Sequence, residues 1–239
     1  MTGAPHDAEG QAGEQSAQSP DSAQTQKVMG EARWPMVGAV LAAIALTLLL
    51  PDNKTLGPSW LLPLVEGCLL VALIVGDPGK ITRRSRRLRA FSIALVGVLV
   101  LGTLWSTIRL LDTLIHGGAE ANSASALLRT GGTVFAANII AFALLYWELD
   151  SGGAAARAHQ LPAYPDFAFP QQLNPDLAPA DWRPRFVDYL YLGVTNGMAF
   201  SPTDTMPLTP WAKIAMGLQS LISLAVLALV VARAVNVFT

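Results

Sequence analysis

Three charged residues interrupt long apolar runs and are the first candidates for chemistry. Glu66 lies inside one run, and Arg109 and Asp112 lie one helical turn apart inside another. Charges in hydrocarbon are costly unless they are paired or face water. With a rise of about 1.5 Å per residue, Glu66 and Arg109 should lie at similar depths, which predicts an intramembrane ion pair with Asp112 nearby. We expect this pair to clamp two helices. A proton or ion relay is the alternative.

Signatures of catalysis and of metal binding are missing from the sequence. Neither H-E-x-x-H nor G-x-S-x-G occurs, and the three histidines fall in the predicted tail or in loops. The single cysteine, Cys68, lies in an apolar run, where a free thiol usually acts as a small hydrophobic group. The sequence therefore predicts no catalytic residues, no metal site and no cofactor, and an enzyme is the least favoured class.

The elements that must position these charges are apolar helices. The chain is 52% hydrophobic and only 14% charged, with a mean hydropathy of +0.41, whereas soluble domains carry about 25% charged residues. A spanning helix needs about 20 mostly apolar residues. Five segments approach or meet that length: Trp34 to Leu50, Trp60 to Gly76, Phe91 to Ile115, Leu127 to Leu149 and Trp211 to Val235. The expected fold is an all-α membrane protein with about five transmembrane helices and one re-entrant half-helix before the last.

Loop charges predict the orientation. The run KITRRSRRLR, Lys80 to Arg89, follows the second apolar segment, and short loops rich in Lys and Arg stay on the cytoplasmic side. This places the N-terminus in the cytoplasm and the protein in the inner (plasma) membrane as a multi-pass protein. Such a run can also bind anionic lipid headgroups, but a topology signal is the favoured interpretation. The asymmetry of charge is not a nucleic-acid signal.

Four regions follow from the composition. They are a disordered polar tail (1–27), a four-helix transmembrane region (28–149), a Pro-rich loop (150–184) and a pore-like segment with the final transmembrane helix (185–239). The loop carries six prolines between residues 162 and 184, so it cannot hold a long helix and is expected to run extended across the membrane surface. Two isolated amides, Asn138 and Gln219, are expected to join helices.

The segment from Phe186 to Phe200 has an awkward length. It is apolar enough to enter a bilayer, but about 15 residues cannot span it. The polar, turn-rich stretch SPTDTMPLTP follows, and then the last long apolar run begins. A half-helix that enters and returns is the simplest geometry. Irregular backbone at membrane depth is tolerated only inside protein or beside water, so the segment is either a plug or the wall of an aqueous path.

The order of residues in this segment resembles the pore module of potassium channels. Tyr-Leu-Tyr-Leu precedes a Thr-containing half-helix end, and Asp204-x-x-Pro207-x-Thr209 precedes a long helix. On this resemblance the filter falls on the stretch from Ala199 to Asp204. Ser201 and Thr203 stand where the two filter glycines belong, and Pro202 stands where the tyrosine belongs, so potassium selectivity is not implied.

The chain also resembles a family of bacterial, especially actinobacterial, integral membrane proteins of unknown function. The residues that carry this resemblance are Asp188 to Tyr191 and Phe200 to Asp204. The family implies five helices and brings no established activity with it.

These patterns favour an ion-channel-like protein over two alternatives. The candidate pore-lining residues are Thr195, Asn196, Ser201, Pro202, Thr203 and Asp204. One half-helix per chain cannot enclose a pore, so a homo-oligomer is required, a tetramer if it is a pore, with monovalent cations as the expected guests. The alternatives are a secondary transporter centred on the intramembrane charges, and a structural or lipid-interacting membrane protein in which the re-entrant segment is a plug. The bilayer is a partner in all three.

Overall fold

Apolar helices dominate the structure. The computed structural model describes residues 30–81, 85–117, 123–159, 164–179, 181–200 and 204–238; the predicted tail, 1–27, lies outside them. The helices are α1 (Trp34–Leu48), α2 (Leu61–Gly76), α3 (Arg86–His116), α4 (Ala124–Leu149), α5 (Ala154–Ala158), α6 (Pro170–Leu173), α7 (Phe186–Ala199) and α8 (Pro210–Phe238). The strands have two residues each: β1 (Glu31–Ala32), β2 (Lys80–Ile81), β3 (Phe167–Ala168) and β4 (Met206–Pro207).

Three helices, α3, α4 and α8, are long and apolar enough to cross a membrane. The helices α1 and α2 are apolar but have only 15 and 16 residues, so they are shorter than a typical span of about 20 residues. The helix α3 begins at Arg86, five residues before the predicted start at Phe91, because arginine is a good helix former and continues the helix beyond the apolar run.

The central helix is α4, which packs against α1, α3, α7 and α8. Its buried side is rich in small residues, so neighbouring helices approach closely. At Gly131 a methyl group would lie only 2.6 Å from Cγ2 of Val230 in α8. The position of α4 explains why it is the most buried of the three long helices.

One end of the bundle, which we call the basic end, gathers most of the charged side chains. It contains the start of α1, the end of α2, the start of α3 and the end of α4. The strands β1 and β2 pair antiparallel there, with Glu31 opposite Ile81. Both α7 and α8 also begin at this end, because the backbone N–H of Phe186 donates to Glu31 and the indole of Trp211 donates to Asp166 at 2.9 Å.

The helix α7 runs into the bundle, and the chain then returns to the basic end. Its 14 residues extend about 21 Å. Gly193 and Gly197 let it approach α4, since a methyl group on Gly193 would lie 3.1 Å from the carbonyl oxygen of Ile139. The helix ends at Phe200, whose φ of 57° is left-handed. The strand β4 then pairs antiparallel with β3 at the basic end.

The Pro-rich loop is folded onto the basic end instead of running extended. It contains α5, β3, α6 and a 3₁₀ turn at Pro175–Leu177. Arg89 of α3 donates to the carbonyl oxygen of Gly152, which places the start of the loop beside the first turn of α3. The extended course was wrong in detail because prolines are tolerated in the first turn of short helices, where Pro170 and Pro175 stand.

Candidate functional site

A cleft of about 740 Å³ opens at the basic end between α2, α3, α4 and α5. We call it the basic cleft. Its charged lining residues are Arg33, Asp77, Arg86, Arg89 and Glu148, and its larger apolar ones are Leu73, Ile81, Leu88 and Trp147. This volume is typical of small-molecule sites, which are mostly apolar with a few polar groups that orient the ligand.

One wall holds a buried ion pair. Nη2 of Arg33 lies 3.2 Å from Oδ2 of Asp77, and Nε of Arg33 donates to the carbonyl oxygen of Asp77 at 2.9 Å. Burial lowers the pKa of Arg33, and the carboxylate of Asp77 opposes that shift. The pair joins the start of α1 to the end of α2 and is neutral overall, so it shapes the cleft without adding net charge.

The second wall is the first turn of α3. The first backbone N–H groups of a helix have no partner within the helix and carry partial positive charge. The side chain of Ser85, at the N-cap, does not cap them, and the first turn contains no acidic residue. Arg86 and Arg89 are three residues apart, so they lie on the same face of the helix and both line the cleft. This wall is strongly electropositive.

Glu148 of α4 faces Arg89 across the cleft. Ser92 donates to Oε2 of Glu148 at 2.5 Å, and Nη1 of Arg89 lies 3.8 Å from Oε1. Gly153 must be a glycine at this point, since its φ is +92° and a methyl group would overlap Nη1 of Arg89. Glu148 therefore offsets one of the two arginines, and no ion pair of Arg86 is found within the described residues. The cleft is suited to an anion.

Two carboxylates beside the cleft, the half-buried Glu31 and the fully buried Asp150, hold the loop and α7 in place. Glu31 accepts the indole N–H of Trp147 at 2.9 Å as well as the N–H of Phe186. Burial raises the pKa of Glu31, and these two hydrogen bonds partly oppose the shift. Asp150 accepts the N–H of Asp166 at 2.9 Å and the hydroxyl of Tyr189.

Arg157 of α5 completes this cluster. Its Nη1 donates to the carbonyl oxygens of Trp147 and Asp150 at 2.8 and 2.7 Å, and its guanidinium stacks 5.1 Å from the ring centre of Tyr189. A buried Arg that binds carbonyl oxygens and an aromatic face holds the end of α4, α5 and α7 together.

Buried amides fix α7 to α4 and α8. Oε1 of Gln219 accepts from the hydroxyl of Tyr146 and from Nδ2 of Asn196, both at 2.7 Å, and its Nε2 donates to the carbonyl oxygen of Gly193 at 2.8 Å. Asn138 donates to the hydroxyl of Ser223 at 3.0 Å. The expectation that Asn138 and Gln219 join helices is confirmed.

The predicted pore-lining residues are placed in different surroundings. Asn196 is fully buried and bonded within the chain. Thr195 is half-buried, and its hydroxyl donates to the carbonyl oxygen of Tyr191 at 3.0 Å. Asp204 is exposed. Ser201, Pro202 and Thr203 lie outside the described residues.

The expected pair of Glu66 with Arg109 is not formed. Arg109 instead lies 3.6 Å from Asp112 and donates to the carbonyl oxygen of Asn53 at 3.2 Å. Glu66 faces the part of α3 that contains Ser106, about one turn deeper than Arg109. The expected equal depths of Glu66 and Arg109 were calculated from the predicted helix ends. In the structure the turn after α1 supplies the carbonyl oxygen of Asn53 as a closer partner for Arg109.

Sequence reasoning missed the basic cleft. Its arginines were assigned to topology, and Arg33, Asp77 and Glu148 stand at the ends of apolar segments, where charges need no special explanation. Among the described residues no three His, Cys, Asp or Glu side chains form a group that could hold a metal ion. The chain matches no protein-family model, no curated protein and no solved structure with which it was compared.

Proposed function

We propose that this chain is a lipid-interacting integral membrane protein whose basic cleft binds the phosphate-bearing headgroup of an anionic amphiphile. One observation carries this proposal: the uncapped first turn of the 31-residue helix α3 and the side chains of Arg86 and Arg89 face the same cleft. Helix N-termini and arginines are both well suited to binding phosphate.

The apolar lining favours an amphiphile over a fully polar anion. Leu73, Leu88 and Trp147 line the cleft beside the charged wall. A lipid would place its phosphate against α3 and the first part of its acyl chains against these side chains. A soluble phosphate compound would leave them exposed to water.

The location of the cleft supports the same ligand. Anionic lipids are concentrated in the cytoplasmic leaflet and attract juxtamembrane clusters of Lys and Arg. Since Lys80, Arg86 and Arg89 lie at the basic end, the positive-inside rule assigns that end to the cytoplasm. The cleft would then lie at the headgroup level of the inner leaflet.

We propose that α7 is a re-entrant half-helix that acts as a plug inside its own subunit. Its length of about 21 Å is less than the roughly 30 Å of a hydrocarbon core. Asn196 is hydrogen-bonded to Met216 and Gln219 of α8, the carbonyl oxygen of Gly193 accepts from Gln219, and glycines face α4. A homotetrameric pore stays a prediction, but it requires Asn196 to leave these partners and face an axis.

Lipid binding by the full chain tests the cleft. Native mass spectrometry should show retention of phosphatidylglycerol over phosphatidylcholine. Arg86→Gln should weaken phosphatidylglycerol binding by roughly tenfold, the effect of losing one charge-assisted hydrogen bond. Arg87→Gln is the matched control, because Arg87 is exposed on the same helical turn but does not line the cleft.

Two outcomes would contradict the proposal, and a second variant covers poor recovery of the first. Competition by inorganic phosphate at concentrations near those of the lipid would assign the site to a soluble phosphate compound instead of a lipid. Equal effects of the two substitutions would reduce the cleft to a general basic surface and overturn the proposal. If Arg86→Gln is recovered poorly, Arg86→Lys serves as the second variant, since it keeps the charge but loses the planar fork and should weaken binding by a smaller factor.

A further inference from the structure

A small cavity, which shares no lining residue with the basic cleft, surrounds Glu66. It lies between α1, α2, α3 and α4, and its polar lining residues are Thr47, Glu66, Thr103 and Ser106. Its volume of about 10 Å³ is close to the minimum of roughly 10–15 Å³ that one water molecule occupies. The cavity therefore has room for a single guest of that size.

The carboxyl group of Glu66 lacks a partner that an atom in this cavity could supply. The residue is only 2% exposed, and its Oε2 has no hydrogen-bond partner. No ion pair of Glu66 is found within the described residues. An unpartnered buried carboxylate costs several kcal/mol, so it must be neutralised by a proton or by a cation.

Two of the hydroxyl groups around Glu66 can only accept. Thr47 donates its hydroxyl hydrogen to the carbonyl oxygen of Ala43 at 3.1 Å, and Ser106 donates to the carbonyl oxygen of Lys54 at 2.9 Å. Their lone pairs remain, together with those of the carboxylate. A site that offers one negative charge and several oxygen acceptors is the ligand set that hard cations prefer.

Nearby positive charges have other partners. Arg109 binds Asp112 and the carbonyl oxygen of Asn53. Lys54, which is 1% exposed, donates to the carbonyl oxygen of Arg109 at 3.4 Å and to the hydroxyl of Thr113. Neither residue lines the cavity.

We propose that Glu66, with the hydroxyl oxygens of Thr47 and Ser106, binds one sodium-sized monovalent cation within the helix bundle. The cation takes the position of a single water molecule and neutralises the carboxylate. This site does not depend on the basic cleft, and neither result bears on the other.

A carbodiimide assay tests the proposal in the full chain reconstituted in lipid nanodiscs. N,N′-dicyclohexylcarbodiimide modifies protonated carboxyl groups in apolar surroundings and adds one reagent mass to Glu66. In choline chloride, where no small cation can occupy the cavity, Glu66 should be labelled. In sodium chloride of the same ionic strength the labelling rate should fall, and peptide mass spectrometry reports the site.

Two variants make the result specific. Ser106→Ala removes one oxygen and should raise the sodium concentration needed for half protection by roughly tenfold, as expected for one lost polar contact. Thr107→Val is the control, because Thr107 is the next residue of α3, is buried and donates to the carbonyl oxygen of Thr103, but it does not line the cavity. Glu66→Gln should abolish the adduct; if that variant does not fold, the comparison of Ser106→Ala with Thr107→Val carries the test.

Labelling that is the same in sodium and choline would overturn the proposal and assign the cavity to a protonated Glu66 with a water molecule. Absence of labelling in both salts would also overturn the proposal. It would mean that Glu66 is not protonated even when no cation is available to occupy the cavity. Equal shifts of half protection in Ser106→Ala and Thr107→Val would remove Ser106 from the site and contradict the proposed ligand set.

Discussion

The substitution Gln219→Leu tests whether α7 is held inside its own subunit. It removes three hydrogen bonds, those to Tyr146, Asn196 and Gly193. Interhelical hydrogen bonds in membrane proteins average about 0.6 kcal/mol each and reach about 1.7 kcal/mol. Three such bonds correspond to roughly 2 to 5 kcal/mol.

The decrease in the free energy of unfolding depends on which polar groups are left without a hydrogen-bond partner. Asn196 keeps its hydrogen bond to the carbonyl oxygen of Met216 at 3.0 Å, so its amide nitrogen loses only one of its two acceptors. The hydroxyl of Tyr146 is fully buried and loses the acceptor that the structure gives it. An orphaned buried hydroxyl costs about 1 to 3 kcal/mol, so we expect the upper half of the range.

The assay is reversible unfolding of the purified chain in mixed micelles, followed by the near-ultraviolet signal of its aromatic residues. A double-mutant cycle with Asn196→Leu isolates the bond between the two amides and should give a coupling of about 1 kcal/mol. Leu218→Ala is the control, because Leu218 is 43% exposed on the adjacent position of α8.

Two results would refute the reasoning. A loss below about 0.5 kcal/mol for Gln219→Leu would mean that the bonds contribute no more than a surface substitution. Absence of coupling between Asn196 and Gln219 would mean that α7 is not fixed through this pair, and a pore-facing Asn196 would regain support.

Two further predictions concern packing and pH. Gly131→Ala should destabilise the fold by roughly 1–3 kcal/mol, because the added methyl group overlaps the stiff side chain of Val230. Gly132→Ala is its control, since it meets open space and should stabilise α4 by up to about 1 kcal/mol; equal effects in thermal unfolding would contradict the close contact of α4 with α8. Burial raises the pKa of Glu31 above 4.5, so its contribution to stability is present below that value and is lost as the pH rises through the raised pKa. Wild type should therefore lose stability relative to Glu31→Gln between acidic and neutral pH, and parallel melting curves across that range would exclude the effect.

The apolar segments were the most predictable part of the fold. Each of the five predicted segments corresponds to a helix, because length and continuous hydrophobicity suffice to favour a helix over any open strand in an apolar solvent. The ends were less predictable. The helix propensity of arginine extends α3 to begin at Arg86. Among the described residues only three helices reach full spanning length.

The candidate sites needed long-range contacts. Arg33 and Asp77 are 44 residues apart, and Ser92 and Glu148 are 56 apart, so no local pattern could pair them. The expected pair of Glu66 with Arg109 failed because Glu66 faces α3 about one turn deeper than Arg109, which binds Asp112 and the carbonyl oxygen of Asn53.

The sequence by itself determined the apolar, helical character of the chain, the position of its basic run and the awkward length of the segment before the last helix. These are properties of local composition and period, which do not depend on what a helix packs against. Only the tertiary structure decided that α7 packs against α4 and is hydrogen-bonded to α8, that Arg86 and Arg89 face a cleft, and that Glu66 lines a cavity with one carboxyl oxygen unpartnered. Those features depend on the rotation of each helix about its axis, and that rotation is set by close packing at residues such as Gly131, Gly193 and Gly197.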